Sequence, residues 1–212
     1  MSEAVDIVIR DLRPEDREAA LDVLIDAFLG FEFPPSQLIF GTGEGAPARA
    51  RGLYGMLFEP RSKASVVVAE RDSRIVGVLT YADNPDCVSM SPGQALTMGR
   101  IMGPRLLASA RLLFKASRAH PKAPHRHLPV MGVDPGLQGQ GIGGLLIAEF
   151  ERRCDEAGLE GYVETVSWAD TTKPSHRKLY ERHGFAVTHV LPRTKEWSLL
   201  LMTRPVGGSA GV

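Results

Sequence analysis

The segment Gln138-Gly139-Gln140-Gly141-Ile142-Gly143-Gly144 constrains this chain more than any other, because four glycines fall in the six positions from Gly139 to Gly144. Glycine loses more conformational freedom on folding than any other residue, so this density belongs where a backbone must turn sharply or approach something closely. The residues before it, Leu128 to Val133, read as a strand ended by Asp134-Pro135-Gly136. Those after it set Ile142, Leu145, Leu146, Phe150, Cys154 and Ala157 at helical spacing, and Gly158 is placed to stop that helix. Unpaired N–H groups at such a helix start, aided by the helix dipole, favour an anion such as a pyrophosphate. A turn with no ligand would not need so many glycines.

Two phosphate-binding readings compete. Gly139-x-Gly141-x-x-Gly144 satisfies the dinucleotide fingerprint, and Glu164 follows at about the 20-residue spacing expected of a ribose-binding acid. That fingerprint should follow its strand directly, whereas Asp134-Pro135-Gly136-Leu137-Gln138 intervenes, and too little chain remains for a doubly wound sheet. A nicotinamide-dependent oxidoreductase therefore ranks well behind. A P-loop is weaker still, since no Lys-Ser/Thr pair follows the glycines.

The rest of the chain alternates strand and helix patterns. Ile7 and Ile9 alternate with Asp6 and Arg10 after Val5, and Pro14-Glu15-Asp16 opens a helix with Ala20, Leu21, Leu24 and Phe28 inward. Gly30 to Gly45, with Phe31, Phe33, Pro34, Pro35 and Phe40, reads as an apolar loop that walls a pocket. A short helix through Leu53, Met56 and Leu57 follows, then a hairpin of Ser65 to Ala69 and Ile75 to Leu79. Pro92 to His120 predicts two helices broken near Gly103-Pro104. That stretch and the residues after it carry Arg100, Arg105, Arg111, Lys115, Arg118, Lys122 and Arg126 without an acidic residue, which reads first as a solvated basic face. The last third predicts β-α-β-α-β-β, with strands at Tyr162 to Val166, Phe185 to Val190 and Trp197 to Met202, and a helix started by Pro174.

With 212 residues the chain is expected to form one domain. Lys+Arg and Asp+Glu are both 25, so nothing global draws it to nucleic acid or an anionic membrane. Cys87 and Cys154 suggest no disulfide framework, and Ser2-Glu3 begins no signal peptide, so a cytoplasmic protein with free thiols is expected. Cys154 takes an inward helix position and reads as core, and no His/Cys/Asp cluster has metal-ligand spacing, so no metal is expected.

Met131-Gly132-Val133-Asp134-Pro135 with Gln138-Gly139-Gln140-Gly141-Ile142-Gly143 resembles the V-x-P and Q/R-x-x-G-x-G/A pattern of the GNAT superfamily of N-acetyltransferases, and Leu179-Tyr180-Glu181-Arg182-His183-Gly184-Phe185 resembles its L-Y-x-x-x-G-F. The motifs cover the last third of the chain; the resemblance extends as topology over most of the rest. It implies an α/β (α+β) fold: one domain with a mixed central sheet of about six to seven strands flanked by helices, splayed between the strands near 128–133 and 161–166. Residues 1–126 would shape the acceptor side, 127–205 would bind the cofactor, and 206–212 would form a flexible tail.

The implied activity is transfer of an acetyl group from acetyl-CoA to an amine, by direct attack in a ternary complex. Met131 and Val133, with Gly132 between them, would present backbone to the pantetheine amides, and Gln138, Gly139, Gln140, Gly141, Ile142, Gly143 and Gly144 would hold the pyrophosphate. A backbone N–H near Val133 would steady the oxyanion. Tyr180 would give the departing sulfur a proton, and Glu164, on a strand face with Tyr162 and Val166, is the leading base for the ammonium, ahead of His125 and His127. The family's usual Asn seven residues before the tyrosine is Lys173 here, a departure from the pattern. Val163-Glu164-Thr165 and Leu201-Met202-Thr203-Arg204-Pro205 resemble the branch that includes puromycin N-acetyltransferase, which implies a small-molecule amine acceptor and a monomer or homodimer. A module that binds acyl-CoA without catalysis is the alternative.

Overall fold

Near-continuous apolar runs such as Val67-Val68-Ala69 and Leu199-Leu200-Leu201-Met202, buried on both faces, mark a sheet of seven strands: β1 (Val8–Asp11), β2 (Ser65–Arg71), β3 (Arg74–Asp83), β4 (His125–Val133), β5 (Glu160–Trp168), β6 (Ala186–Pro192) and β7 (Trp197–Arg204). The computed structural model describes residues 6–30, 34–59, 62–170, 172, 175–192 and 194–208. The strands form one sheet in the order β1-β2-β3-β4-β5-β7-β6. Every neighbouring pair is antiparallel except β4 and β5. This mixed sheet excludes the doubly wound parallel sheet that a dinucleotide fold would need. Helices α1 (Arg17–Leu29), α2 (Pro34–Phe40), α3 (Gly45–Leu57), α4 (Pro92–Met102), α5 (Arg105–Ala119), α6 (Ile142–Ala157) and α7 (Arg177–Arg182) complete the chain.

Adjacent residues of each strand serve opposite layers. Val67, Leu79, Val163, Leu200 and Met202 meet α6 through Ile142, Leu146, Phe150 and Cys154. Val68 and Val78 meet α1 and α3 through Leu21, Leu24, Ala50 and Tyr54. Tyr162, Val166, Trp197, Leu199 and Leu201 gather with Ala116 of α5. The buried stripe on α6 runs through Ile142, Leu146, Ile147, Phe150 and Cys154, which leaves Leu145, expected inward, 44% exposed and Ala157 exposed as well. Among the described residues no helix is long and apolar enough to cross a membrane.

Two elements depart from the sequence pattern. The stretch read as a loop after Gly30 contains α2, whose first residues are Pro34 and Pro35; a proline is well suited to a helix start because its missing N–H is needed by no acceptor there. Phe31 and Phe33, placed in the same expected loop, lie outside the described residues, as do Val5, Lys173 and Pro174. Strand β4 also begins earlier than the apolar run suggested, at His125, where it pairs with Glu160.

The parallel ladder between β4 and β5 ends at Leu128↔Val163, although β4 continues to Val133 and β5 to Trp168. The next residue of β4 is Pro129, which has no N–H to donate. On the other edge of β4 the register with β3 shifts between Thr80 and Ala82, so one extra β4 residue is accommodated at the same level. From that point the two strands part and leave a wedge open between them.

Candidate active site

Backbone groups line one side of the wedge. The Asp134 N–H donates to the Val76 carbonyl at 2.9 Å, and Val76 lies directly opposite in the register. Antiparallel pairing alternates, so Gly132 and Val130 also spend their amides and carbonyls on β3, while Met131 and Val133 turn theirs toward the gap. The Gln138 side chain confirms this orientation by donating from Nε2 to the Val133 carbonyl at 3.2 Å. Gly132 is a close-approach glycine: a Cβ there would come within 3.0 Å of the Ala27 Cβ and 3.1 Å of the Leu24 Cδ2 on α1.

The glycine segment then bends the chain into α6. The Asp134 carboxylate accepts from the Gly136 N–H at 2.9 Å and fixes the first bend. Gly139 and Gly141 take φ of 79° and 87°, a left-handed conformation that side chains with a Cβ resist. No side chain caps α6, and its first backbone bond runs from Leu145 N–H to the Gly141 carbonyl, so the amides of Ile142, Gly143 and Gly144 have no helical acceptor. A Cβ at position 139 or 141 would meet nothing within 4 Å. Open ground, unpaired donors and the positive end of a helix fit a pyrophosphate. Gln140 turns aside, its Oε1 accepting from Arg71 at 3.0 Å.

The opposite wall carries the titratable groups. Tyr162 donates its hydroxyl to Glu164 Oε1 at 2.7 Å. Burial pushes the Glu164 carboxyl above the usual carboxylate range, and the hydrogen bond from Tyr162 partly offsets this. Tyr180, on α7, is 5% exposed and packs edge-on against Phe185 at 5.7 Å between ring centres. Burial raises its phenol, so it keeps its proton at neutral pH, and no group among the described residues hydrogen-bonds its hydroxyl. A protonated phenol without a protein acceptor is suited to donation.

One cavity of about 590 Å³ joins these parts; Glu164, Tyr180 and every residue expected to hold the cofactor except Gln140 line it. Helices α1, α2 and α3 add Phe28, Ile39, Phe40 and Tyr54, with Ser36, to its lining. His176, the residue before α7, and Arg182 at its end also line it and were not anticipated; the i−4 offset from Tyr180 was an available signal for His176, and none marked Arg182. His125 and His127 do not line it. Their rings lie against the Tyr162 ring at 5.4 and 4.9 Å, and burial pushes the His127 imidazole down to about 3, which keeps it neutral. The expected basic face is interrupted at Arg126, whose guanidinium binds Asp83 at 2.6 Å.

Several solved structures share this architecture. A Corynebacterium glutamicum protein described as histone acetyltransferase HPA2 and related acetyltransferase superposes with a TM-score of 0.70 at 22% identity, covering 94% of this chain and 96% of its own. A Staphylococcus aureus N-acetyltransferase gives 0.56 at 13% identity, covering 95% and 99%. The ribosomal-protein-S18-alanine N-acetyltransferase of Escherichia coli gives 0.52 at 14% identity, covering 98% and 97%. At these identities the likeness shows the fold, but the profile of the Acetyltransferase (GNAT) family matches residues 32–185. With that match spanning most of its length, from the start of α2 through the glycine loop to the end of the α7 motif, the chain belongs to the GNAT family of acetyltransferases.

Proposed function

We propose that this protein is an N-acetyltransferase that moves an acetyl group from acetyl-CoA to the amine of a small molecule by direct attack in a ternary complex. One observation carries the reading: a single cavity runs from the unpaired amides at the start of α6, along the free backbone edge of β4, to Glu164 and Tyr180. The family uses acetyl-CoA as cosubstrate, and its thioester supplies the activated acyl group. The amides of Ile142, Gly143 and Gly144 hold the pyrophosphate, the backbone edges of Met131 and Val133 bind the pantetheine arm, and Gln138 covers the Val133 carbonyl until that arm arrives. Glu164 takes a proton from the acceptor ammonium. Tyr180 gives a proton to the departing sulfur.

A compact acceptor is favoured by the largely apolar lining that Phe28, Ile39, Phe40 and Tyr54 supply beside Ser36. On this reading residues 1–126 shape the acceptor side, residues 127–205 bind the cofactor, and the resemblance to the branch that includes puromycin N-acetyltransferase points the same way. The test is thiol release from acetyl-CoA over a panel of small amines and a panel of peptide N-termini. Amine-dependent release with the small amines supports the reading. Release with peptides alone overturns the acceptor class, and tight acetyl-CoA binding without release for any acceptor reassigns the protein as an acyl-CoA-binding module.

A further inference from the structure

Sequence spacing offers no metal site, yet the fold brings three separated ligand residues together behind Tyr162. Cys87 lies in the 3-10 turn Asp86–Val88 that follows β3, His120 follows the end of α5, and His125 opens β4. The Cys87 sulfur is 3.8 Å from His120 Nε2 and 3.9 Å from His125 Nε2. The donor atoms of all three lie within 4.8 Å of one another.

The other nitrogen of each ring decides what this arrangement can do. His125 Nδ1 faces the Ala123 carbonyl at 2.7 Å, and His120 Nδ1 faces the Pro121 carbonyl at 3.2 Å. A carbonyl only accepts, so each Nδ1 carries the proton and each Nε2 presents a lone pair to the same sulfur. A neutral thiol has one weak proton for two lone pairs. A cation satisfies both imidazoles and the thiolate together, and a backbone carbonyl behind each ring is how proteins aim imidazole ligands at a metal.

We propose that Cys87, His120 and His125 form a zinc site with two Nε2 ligands, one thiolate and one open position. Tetrahedral zinc with bonds of about 2.3 Å to sulfur and about 2.0 to 2.1 Å to nitrogen sets sulfur and nitrogen about 3.6 Å apart and the two nitrogens about 3.3 Å apart, so from donor atoms within 4.8 Å of one another closure on the ion moves each side chain by less than about 1 Å. His120 also borders a surface depression lined by Asn84, Ser117, Arg118, Pro121 and Lys122, which brings one ligand of the site to solvent. The His120 and His125 rings pack on the Tyr162 ring at 4.7 and 5.4 Å, and neither residue lines the acyl-transfer cavity. The ion therefore ties the turn after β3, the end of α5 and the start of β4 together. It takes no part in the proposed transfer.

The test uses the full chain, stripped with a chelator and titrated with cobalt(II) and then zinc. One cobalt per chain with a sulfur-to-metal charge-transfer absorption, displaced by zinc and accompanied by a higher melting temperature, is expected. Cys87→Ser abolishes that absorption and weakens zinc more than about 100-fold, beyond the usual effect of losing a supporting contact, while Cys154→Ser leaves both unchanged. His120→Ala, altering a ligand that like Cys87 is only half-buried, weakens zinc comparably and serves if the serine variant does not fold. Absence of the absorption in the parent chain, or its survival in Cys87→Ser, overturns the site.

Discussion

Glu164, the base of the proposed transfer, shows how one hydrogen bond tunes a carboxyl. Burial holds its carboxyl above the usual carboxylate range, and the Tyr162 hydroxyl at 2.7 Å pulls in the opposite direction. A base works only when ionised, so the rate should climb with pH through this raised value, and the limb should lie above the ordinary glutamate value of about 4.3. Glu164→Gln is expected to remove that limb and to lower kcat/KM at neutral pH about 100-fold, whereas Tyr162→Phe, by removing the stabilising donor, moves the limb to higher pH. A parental pH–rate profile in the glutamine variant would show that another group takes the proton. Tyr180→Phe probes the other proton: its hydroxyl has no acceptor among the described residues, so its loss should lower kcat by about 100-fold or more with little change in melting temperature. Both residues were legible in the sequence, Tyr180 from its motif and Glu164 from an acid among apolar neighbours. The hydrogen bond from Tyr162 was not, because period-two spacing places two residues on one face without saying which atoms meet.

Among the elements, β4 and the loop into α6 use glycine for two different reasons, and the difference can be measured. Gly132 sits under α1, where a Cβ would meet Ala27 and Leu24 at 3.0 and 3.1 Å, so Gly132→Val overpacks that contact and should cost about 1 to 3 kcal/mol in urea unfolding. Gly141 has open space around it and φ of 87°, so Gly141→Ala costs about 1 to 2 kcal/mol in backbone strain and chiefly disturbs the amides that follow it. Calorimetry with CoA separates them: affinity should fall about tenfold or more for Gly141→Ala and stay near parental for folded Gly132→Val. The glycine run announced the loop, but not this division of labour, which depends on α1 crossing β4. Helix α2 escaped detection because Pro34 and Pro35 read as breakers when they are the start of the helix. The splay of β4 from β5 follows from Pro129 and the shifted β3 register, yet only the family resemblance led to expecting it, since strand pairing leaves little trace in a single sequence.

Across the whole molecule, α6 is held to the sheet by charge as well as by its apolar stripe. Arg153 reaches Asp11 of β1 at 2.7 Å and the Tyr81 hydroxyl at 2.9 Å, while Arg126 of β4 donates to the Arg153 carbonyl at 2.7 Å. Asp155 receives both arms of Arg204 from β7, at 2.8 and 2.9 Å, and the Gly207 N–H at 2.8 Å. These contacts join residues far apart in sequence, which is why composition, with its equal charges, said nothing of them. They also fix how stability depends on pH. The arginine bonds hold Asp155 below the usual aspartate range, and Arg152 and Arg153 hold Glu149 down to about 2. A carboxylate whose folded value lies below its unfolded value stabilises the fold above the unfolded value, about 3.9 for Asp and 4.3 for Glu, and loses that contribution as pH falls through the folded one. The melting temperature should therefore decline steeply from about pH 4 toward about pH 2. Asp155→Asn keeps the shape but removes the charge, so it should melt below the parent at pH 7, and the gap should close as acid protonates Asp155 in the parent. Thermal melts of both chains across that range make the comparison; a gap that stays constant with pH would mean that Asp155 holds β7 and Gly207 through hydrogen-bond geometry alone.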